Sequence, residues 1–191
     1  MKVTAICGSP RNPSNTKTAL NMVLKSAAES GLDTELIALR DYDIRGCTAC
    51  GACRKTADGT CPGRRDGLND ILPRVYESDA LVIGSPVYFG SASAETFAFL
   101  QRTGYVARGM DPNPMRGMIG AGVAVARRAG QNFTVAEIEM SFGPLDMTRA
   151  GSLYWPVGFG AAPGDLEQDE EATRTFAALG KRVAELVRAL R

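Results

Sequence analysis

Four cysteines, Cys47, Cys50, Cys53 and Cys61, follow the spacing C-x2-C-x2-C-x7-C, and Pro62 comes directly after the last. Thiolates packed this closely are soft ligands. The compact, thiolate-only pattern suits a [4Fe–4S] cluster; its start and Cys-Pro end match the bacterial ferredoxin run, whose final gap is shorter. Two other uses stay open: a structural zinc, which more often separates two cysteine pairs by a longer spacer, and free or regulatory thiols. Glycines 46, 51, 59 and 63 let backbone N–H groups turn toward sulfur. Residues 40–66 carry six basic and four acidic side chains, a small positive excess that suits an anionic centre. The fifth cysteine, Cys7, lies in an apolar run and is expected in the core. The chain has no histidine. Imidazole bases, serine or cysteine triads and histidine metal ligands are therefore excluded. Redox chemistry on a bound cofactor needs none of them.

A second cluster of chemistry is "CGSPRNPSNTKTAL" at residues 7–20. Ser9, Arg11, Ser14, Asn15 and Thr16 stand between a short β-rich run and a helical pattern. The first N–H groups of a helix are unpaired and carry partial positive charge, so hydroxyls, an amide and an arginine beside them suit a phosphate monoester. The same residues would also serve a plain capped helix. The glycine spacing is neither that of a Walker A loop nor that of the dinucleotide fingerprint. "GFGAAPG" at 158–164 is glycine-rich but wrongly spaced, contains Pro163, and reads as a loop rather than a second phosphate site.

Two further loops matter. "GSPVYFGSAS" (84–93) places Tyr88 and Phe89 between Gly84 and Gly90, a setting for a flat ring that wants stacking and backbone hydrogen bonds, or a tight turn with two core aromatics. "ARRAGQ" (126–131) places Arg127 and Arg128 near a ring edge or phosphate, or leaves them as solvated turn residues. Tyr154 and Trp155, at the end of the last strand pattern, would either cover the site or lie in the core, and the core is the expectation. One phosphate cradle and one ring platform point to FMN. No second nucleotide site, which FAD would want, is evident.

These loops need a frame. Strand patterns at 2–7, 34–39, 80–86, 118–126 and 152–158 alternate with helical patterns at 15–30, 67–78, 93–107, 132–141 and 166–190. Five strands separated by helices predict an α/β fold with a five-stranded parallel, doubly wound sheet, whose ligands bind beyond the carboxyl ends of the strands. The chain of 191 residues, 45% hydrophobic, fits a single domain over 1–191 with a cysteine-rich loop inserted at about 42–66. A net charge of +1 gives no case for nucleic acid or an anionic membrane surface. With no long apolar run and no signal peptide pattern, the expected location is the cytoplasm.

In "GSPRNPSNT", "GCTACGACRKTADGTCP", "GSPVYFGSAS" and "ARRAG" the chain resembles the flavodoxin-like NAD(P)H-dependent FMN reductases, and among them most of all the iron–sulfur flavoproteins. The resemblance covers most of the chain. It implies a flavodoxin-like three-layer sandwich and FMN held by Ser9, Arg11, Ser14, Asn15 and Thr16. It implies ring contacts at Pro86, Val87, Tyr88, Phe89 and Gly90, with Arg128, Ala129 and Gly130 nearby. It also implies a homodimer or homotetramer with flavin near a subunit interface.

The expected function is an FMN-dependent oxidoreductase that relays electrons between a [4Fe–4S] cluster on Cys47, Cys50, Cys53 and Cys61 and FMN, with a small molecule or a ferredoxin-type protein as donor or acceptor. A cluster-free alternative is NAD(P)H-dependent reduction of FMN or a quinone, with NAD(P)H as co-substrate. Other classes are a non-enzymatic flavodoxin-like carrier and a zinc-stapled interaction module. No side chain need act as acid or base, because the chemistry resides on FMN. Arg128 is expected to stabilise negative charge on the reduced ring.

Overall fold

The computed structural model describes residues 1–190. Strand β1 (Lys2–Cys7), helix α1 (Asn15–Glu29), strand β2 (Asp33–Ala38) and the short helix α2 (Ala52–Thr56) are followed by α3 (Leu68–Tyr76), β3 (Ala80–Tyr88), β4 (Ser91–Ala92) and α4 (Ala94–Ala107). Then come β5 (Ile119–Ala126), α5 (Gln131–Met140), β6 (Thr148–Arg149), β7 (Val157–Phe159) and α6 (Glu170–Leu190). The sheet has the order β2-β1-β3-β5-β6, with β7 also on β5 and β4 on β3. All pairings are parallel except the hairpin of β3 with β4. This is the expected doubly wound sheet, and its order reverses between β1 and β3.

Both faces of the sheet are covered, and the pleat shows why. In β1, Val3, Ala5 and Cys7 join one core with the apolar stripes of α1 and α6, while Ile6 joins the other with α3, α4 and α5. In β3, Ala80 and Val82 face the first core, and Leu81 and Ile83 the second. Each fully buried leucine or isoleucine here contributes roughly 1.5–3 kcal/mol relative to exposure. Cys7 is buried, as expected.

The fifth strand differs from expectation. Residues 152–158 do not form one strand. Two fragments share that edge: β6 pairs with Ile119 and Gly120, and β7 pairs with Ala124, Val125 and Ala126. The chain between them leaves the sheet, with Ser152 Oγ donating to the Thr175 carbonyl at 2.7 Å. Pro156 has no N–H for a ladder, so pairing resumes only beyond it. The excursion turns Leu153, Tyr154 and Trp155 outward. Tyr154 and Trp155 are 54% and 49% exposed, which corrects their expected place in the core. The last helix also starts later than its pattern predicts. Residues Asp165–Gln168 form a 3-10 turn, and Asp169 then caps α6 by accepting the N–H of Ala172 at 3.1 Å. No helix among the described residues is long and apolar enough to cross a membrane.

Candidate functional site: a phosphate cradle, a ring platform and a cysteine centre

The carboxyl ends of β1, β3 and β5 lie side by side, since Cys7 pairs with Gly84 and Pro86 with Val125. The loops that follow them therefore meet. A cavity of about 130 Å3 opens there, walled by Ser9, Arg11, Ser14, Asn15 and Thr16 from the first loop and by Pro86, Val87 and Tyr88 from the second. Ser9, Ser14, Asn15 and Thr16 are all buried polar residues at the mouth of α1. Ser14 takes an extended conformation and caps the helix, its Oγ accepting the N–H of Lys17 at 3.1 Å. Ser9 Oγ accepts the N–H of Arg11 at 3.3 Å. Used as an acceptor within the protein, the Ser9 hydroxyl keeps its hydrogen for an anion.

Asn15, which also lines this cavity, uses its side chain to tie the cradle to a more distant loop. Its Nδ2 donates to the Ala162 carbonyl at 2.8 Å, and its Oδ1 accepts the N–H of Gly164 at 3.0 Å. Arg11 Nη1 donates to the Ala161 carbonyl at 3.3 Å. The glycine-rich loop after β7 is thus lashed to the cradle, and Gly160 and Ala161 complete the cavity wall. The glycine signal at 158–164 pointed to that loop, but its spacing hid the role.

The segment expected to bear the ring is a hairpin. Phe89 and Gly90 both have positive φ, 52° and 80°, and form the tight turn between β3 and β4. Phe89 stands fully exposed at the tip, and it and Gly90 lie outside the cavity wall that Pro86, Val87 and Tyr88 help to form. From α5, the Glu137 carboxylate accepts Ser91 Oγ at 3.0 Å and Ala92 N–H at 3.1 Å, pinning the hairpin. Gly130, with φ at 96°, sits against the same hairpin: an added Cβ would stand 2.8 Å from Val87 Cγ1 and 3.0 Å from Gly90 Cα. Arg128, Ala129 and Gly130 line a neighbouring hollow of about 390 Å3 with Tyr154 and Trp155, whereas Arg127 lines the cradle cavity. Spacing alone gave no means of choosing between the two arginines.

The cysteine centre lies on the α4 side of the molecule. All four cysteines of the motif line one small cavity together with Arg64, Arg102 and Tyr105. The thiols are free; Cys47 and Cys50 are exposed and Cys53 is buried. Among the described residues no three such side chains already stand as a closed metal-ligand set. The donor chemistry nevertheless fits an iron–sulfur cluster. Ala49 and Gly51 adopt positive φ, 55° and 69°, which curls the chain around the cavity, and the Ala49 N–H donates to Cys47 Sγ at 3.3 Å. The N–H of Ala52 and then the Thr48 hydroxyl draw the Cys50 thiol below its ordinary range, whereas burial pushes that of Cys53 up.

Behind the sulfurs sits Arg102, which is 1% exposed. Its Nη2 donates to Cys61 Sγ at 3.2 Å, and its Nη1 donates to Asp66 Oδ2 at 2.5 Å and to the Arg45 carbonyl at 3.1 Å. Burial works against charge on Asp66. The Arg102 guanidinium and the N–H groups of Arg45 and Leu68 outweigh it and hold the carboxyl below the usual range. The sequence reading missed Arg102. The available signal was its place three residues after Phe99 and four before Val106, on the buried face of α4.

A family model described as NADPH-dependent FMN reductase matches residues 1–162. An iron-sulfur flavoprotein of Methanocaldococcus jannaschii is 35% identical over 198 residues, covering the whole of both chains. An iron-sulfur flavoprotein of Archaeoglobus fulgidus is 31% identical over 189 residues, covering 97% of this chain and 80% of its own. Among solved structures, RosB with bound 8-demethyl-8-formylriboflavin-5'-phosphate superposes with a TM-score of 0.78 at 16% identity, covering 100% of this chain and 80% of that one. A flavodoxin, WrbA-like protein from Agrobacterium tumefaciens gives 0.67 at 16% identity, covering 100% and 98%. The fold is flavodoxin-like.

Proposed function

The chain belongs to the NADPH-dependent FMN reductase family and is an FMN-containing oxidoreductase, and on that premise we propose that Cys47, Cys50, Cys53 and Cys61 hold a [4Fe–4S] cluster, making the protein a relay between one-electron and hydride chemistry. The observation that carries this reading is the shared cavity of the four thiols, backed by a buried guanidinium that donates to Cys61 Sγ. When bound, FMN exchanges a hydride or single electrons, and a cluster exchanges one electron at a time.

The protein's own residues hold and shape. Ser9, Arg11, Ser14 and Thr16, with the first N–H groups of α1, grip the FMN phosphate. Asn15 fixes the loop that closes over it. Pro86, Val87 and Tyr88 support the ring, and Gly130 lets the loop after β5 approach the hairpin. Arg127 and Arg128 place positive charge on either side of that loop. The redox partner is a small molecule or a ferredoxin-type protein. The exposed Phe133, Tyr154, Trp155 and Phe159 around the larger hollow support assembly as a homodimer or homotetramer.

The test is the visible spectrum of protein purified without oxygen, with iron, sulfide and zinc assays. Flavin bands over broad brown absorption, with about four irons per chain, are expected. Flavin with neither iron nor sulfide would leave the NAD(P)H-dependent FMN or quinone reductase, a reading favoured by the exposure of Cys47 and Cys50. Stoichiometric zinc would make the loop a structural staple.

A further inference from the structure

We infer that Arg102 is a positioning residue of the cysteine centre, holding Cys61 as the fourth ligand and raising the potential of the cluster those thiols would bind. The inference rests on the cluster reading above.

A fully buried arginine demands partners, because an uncompensated charge in the interior is strongly unfavourable. Arg102 is only partly served. Asp66 and the Arg45 carbonyl take the donors of Nη1, the sulfur of Cys61 takes one from Nη2, and Nε is buried with no partner. A core position that needed only volume would be filled better by methionine or leucine. A cation aimed at a thiol is what an anionic thiolate centre requires.

The seven-residue gap before Cys61 adds to this. Cys47, Cys50 and Cys53 are fixed to one another by short spacing, but Cys61 must be brought back from a longer excursion. Asn69 holds its backbone, with Oδ1 accepting the Cys61 N–H at 2.8 Å and Nδ2 donating to its carbonyl at 3.3 Å. Arg102 holds its sulfur. The Asp58 carboxylate takes up the slack between, accepting the Thr60 N–H at 2.9 Å. Reduction adds negative charge to such a centre, so a fixed cation beside one ligand favours the reduced state and moves the midpoint upward.

The test compares the wild-type chain with R102M/D66N, which removes both charges at similar volume, and with D66N, which leaves the cation less neutralised. Each protein is reconstituted anaerobically with iron and sulfide, checked for FMN binding, and titrated to its cluster midpoint by visible and spin-resonance spectra. R102M/D66N should shift the midpoint negative and D66N should shift it positive, with FMN bound as in the wild type. Loss of iron with FMN retained in R102M/D66N would equally support the hold on Cys61. Should R102M/D66N fail to bind FMN, D66N decides alone. A residue that merely tied the loop to α4 would leave the midpoints unmoved, and that result overturns the inference. Wild-type protein that binds FMN but takes up no iron overturns the cluster reading, and this inference with it.

Discussion

Ser93 Oγ donates to the carbonyl of Gly8 at 2.7 Å, joining residues 85 positions apart in the chain. The bond ties the loop after β1 to the start of α4, immediately beyond the β3–β4 hairpin. The same oxygen caps α4 by accepting the Thr96 N–H at 3.3 Å, and the Ser93 N–H donates to Ser85 Oγ at 2.9 Å. Ser93→Ala removes a cap and leaves a buried carbonyl unpaired, so it should cost about 1–3 kcal/mol of apo-protein stability. FMN affinity should fall severalfold as the two loops lose their common anchor. Urea unfolding and a flavin fluorescence titration measure the two effects; unchanged values in both would show that the loops hold their places without this bond.

Gly8 itself is required for a close approach. A Cβ there would fall on Thr96 Oγ1, within 3.1 Å of Thr96 Cβ and 3.2 Å of Ser93 Oγ. Gly8→Ala should therefore destabilise by about 1–3 kcal/mol through overpacking. Adding Thr96→Ala vacates the contested space, so the double variant should regain much of the loss. A coupling of at least about 0.5 kcal/mol is expected in the double-mutant cycle. Additive effects would place the strain elsewhere.

The regular elements were legible because their signals were long and single-valued. β1, α1 and β5 fall within one residue of their sequence boundaries, each being a buried run or stripe closed by a change of composition. The edge beyond β5 was not legible. "SLYWPVG" is rich in strand-forming side chains, and nothing local shows that Pro156 and the earlier pairing of Thr148 and Arg149 split the edge into two fragments. Helix α2 is too short for a periodic signal. That Ser9, Arg11, Ser14, Asn15 and Thr16 would lie together could be read because they fall within one short stretch of chain. Their cavity partners Gly160 and Ala161 could not, since only the fold brings them within reach of Arg11 and Asn15. Arg102 is the sharpest omission. An arginine in a helix ordinarily reads as solvated, and its true environment depends on Asp66 and Cys61, which lie in the loop between α2 and α3.

Stability should depend on pH through Glu35. Lys2 Nζ lies 2.8 Å from its Oε2, and Arg74 Nε donates to Oε1 at 2.7 Å. Burial opposes the charge, but the Lys2 and Arg74 interactions outweigh it and hold the carboxyl below the usual carboxylate range. A carboxyl depressed by folding stabilises the native state fully above its unfolded pKa, and that contribution is lost as pH falls through the folded value. Glu35→Gln should cost about 0.5–2 kcal/mol at pH 7, and the gap from the wild type should narrow as the pH drops below about 4. Urea midpoints taken across that range give the answer; a constant gap would mean that charge on Glu35 is not what the triad uses.

Gly63 and Cys50 bear on whether the cysteine loop is shaped for a cluster. A Cβ on Gly63 would land on Cys50 Sγ, so the glycine leaves room for the thiol of the central cysteine in the motif. Cys50 lies in the stretch curled by the positive φ angles of Ala49 and Gly51, with its thiol toward the cavity shared with Cys47, Cys53 and Cys61. Cys50→Ser should therefore strip iron and sulfide while FMN content stays at the wild-type level, because the cradle at Ser9–Thr16 is built on other loops. Gly63→Ala keeps all four ligands and alters only the room around one of them. Iron affinity should fall by about 10–100-fold, the range for a disturbed supporting residue, again with FMN unchanged. Iron, sulfide and flavin assays on the three proteins decide the matter. Full iron in Cys50→Ser would remove Cys50 from the ligand set, and loss of flavin from either variant would show that the two centres are not structurally independent.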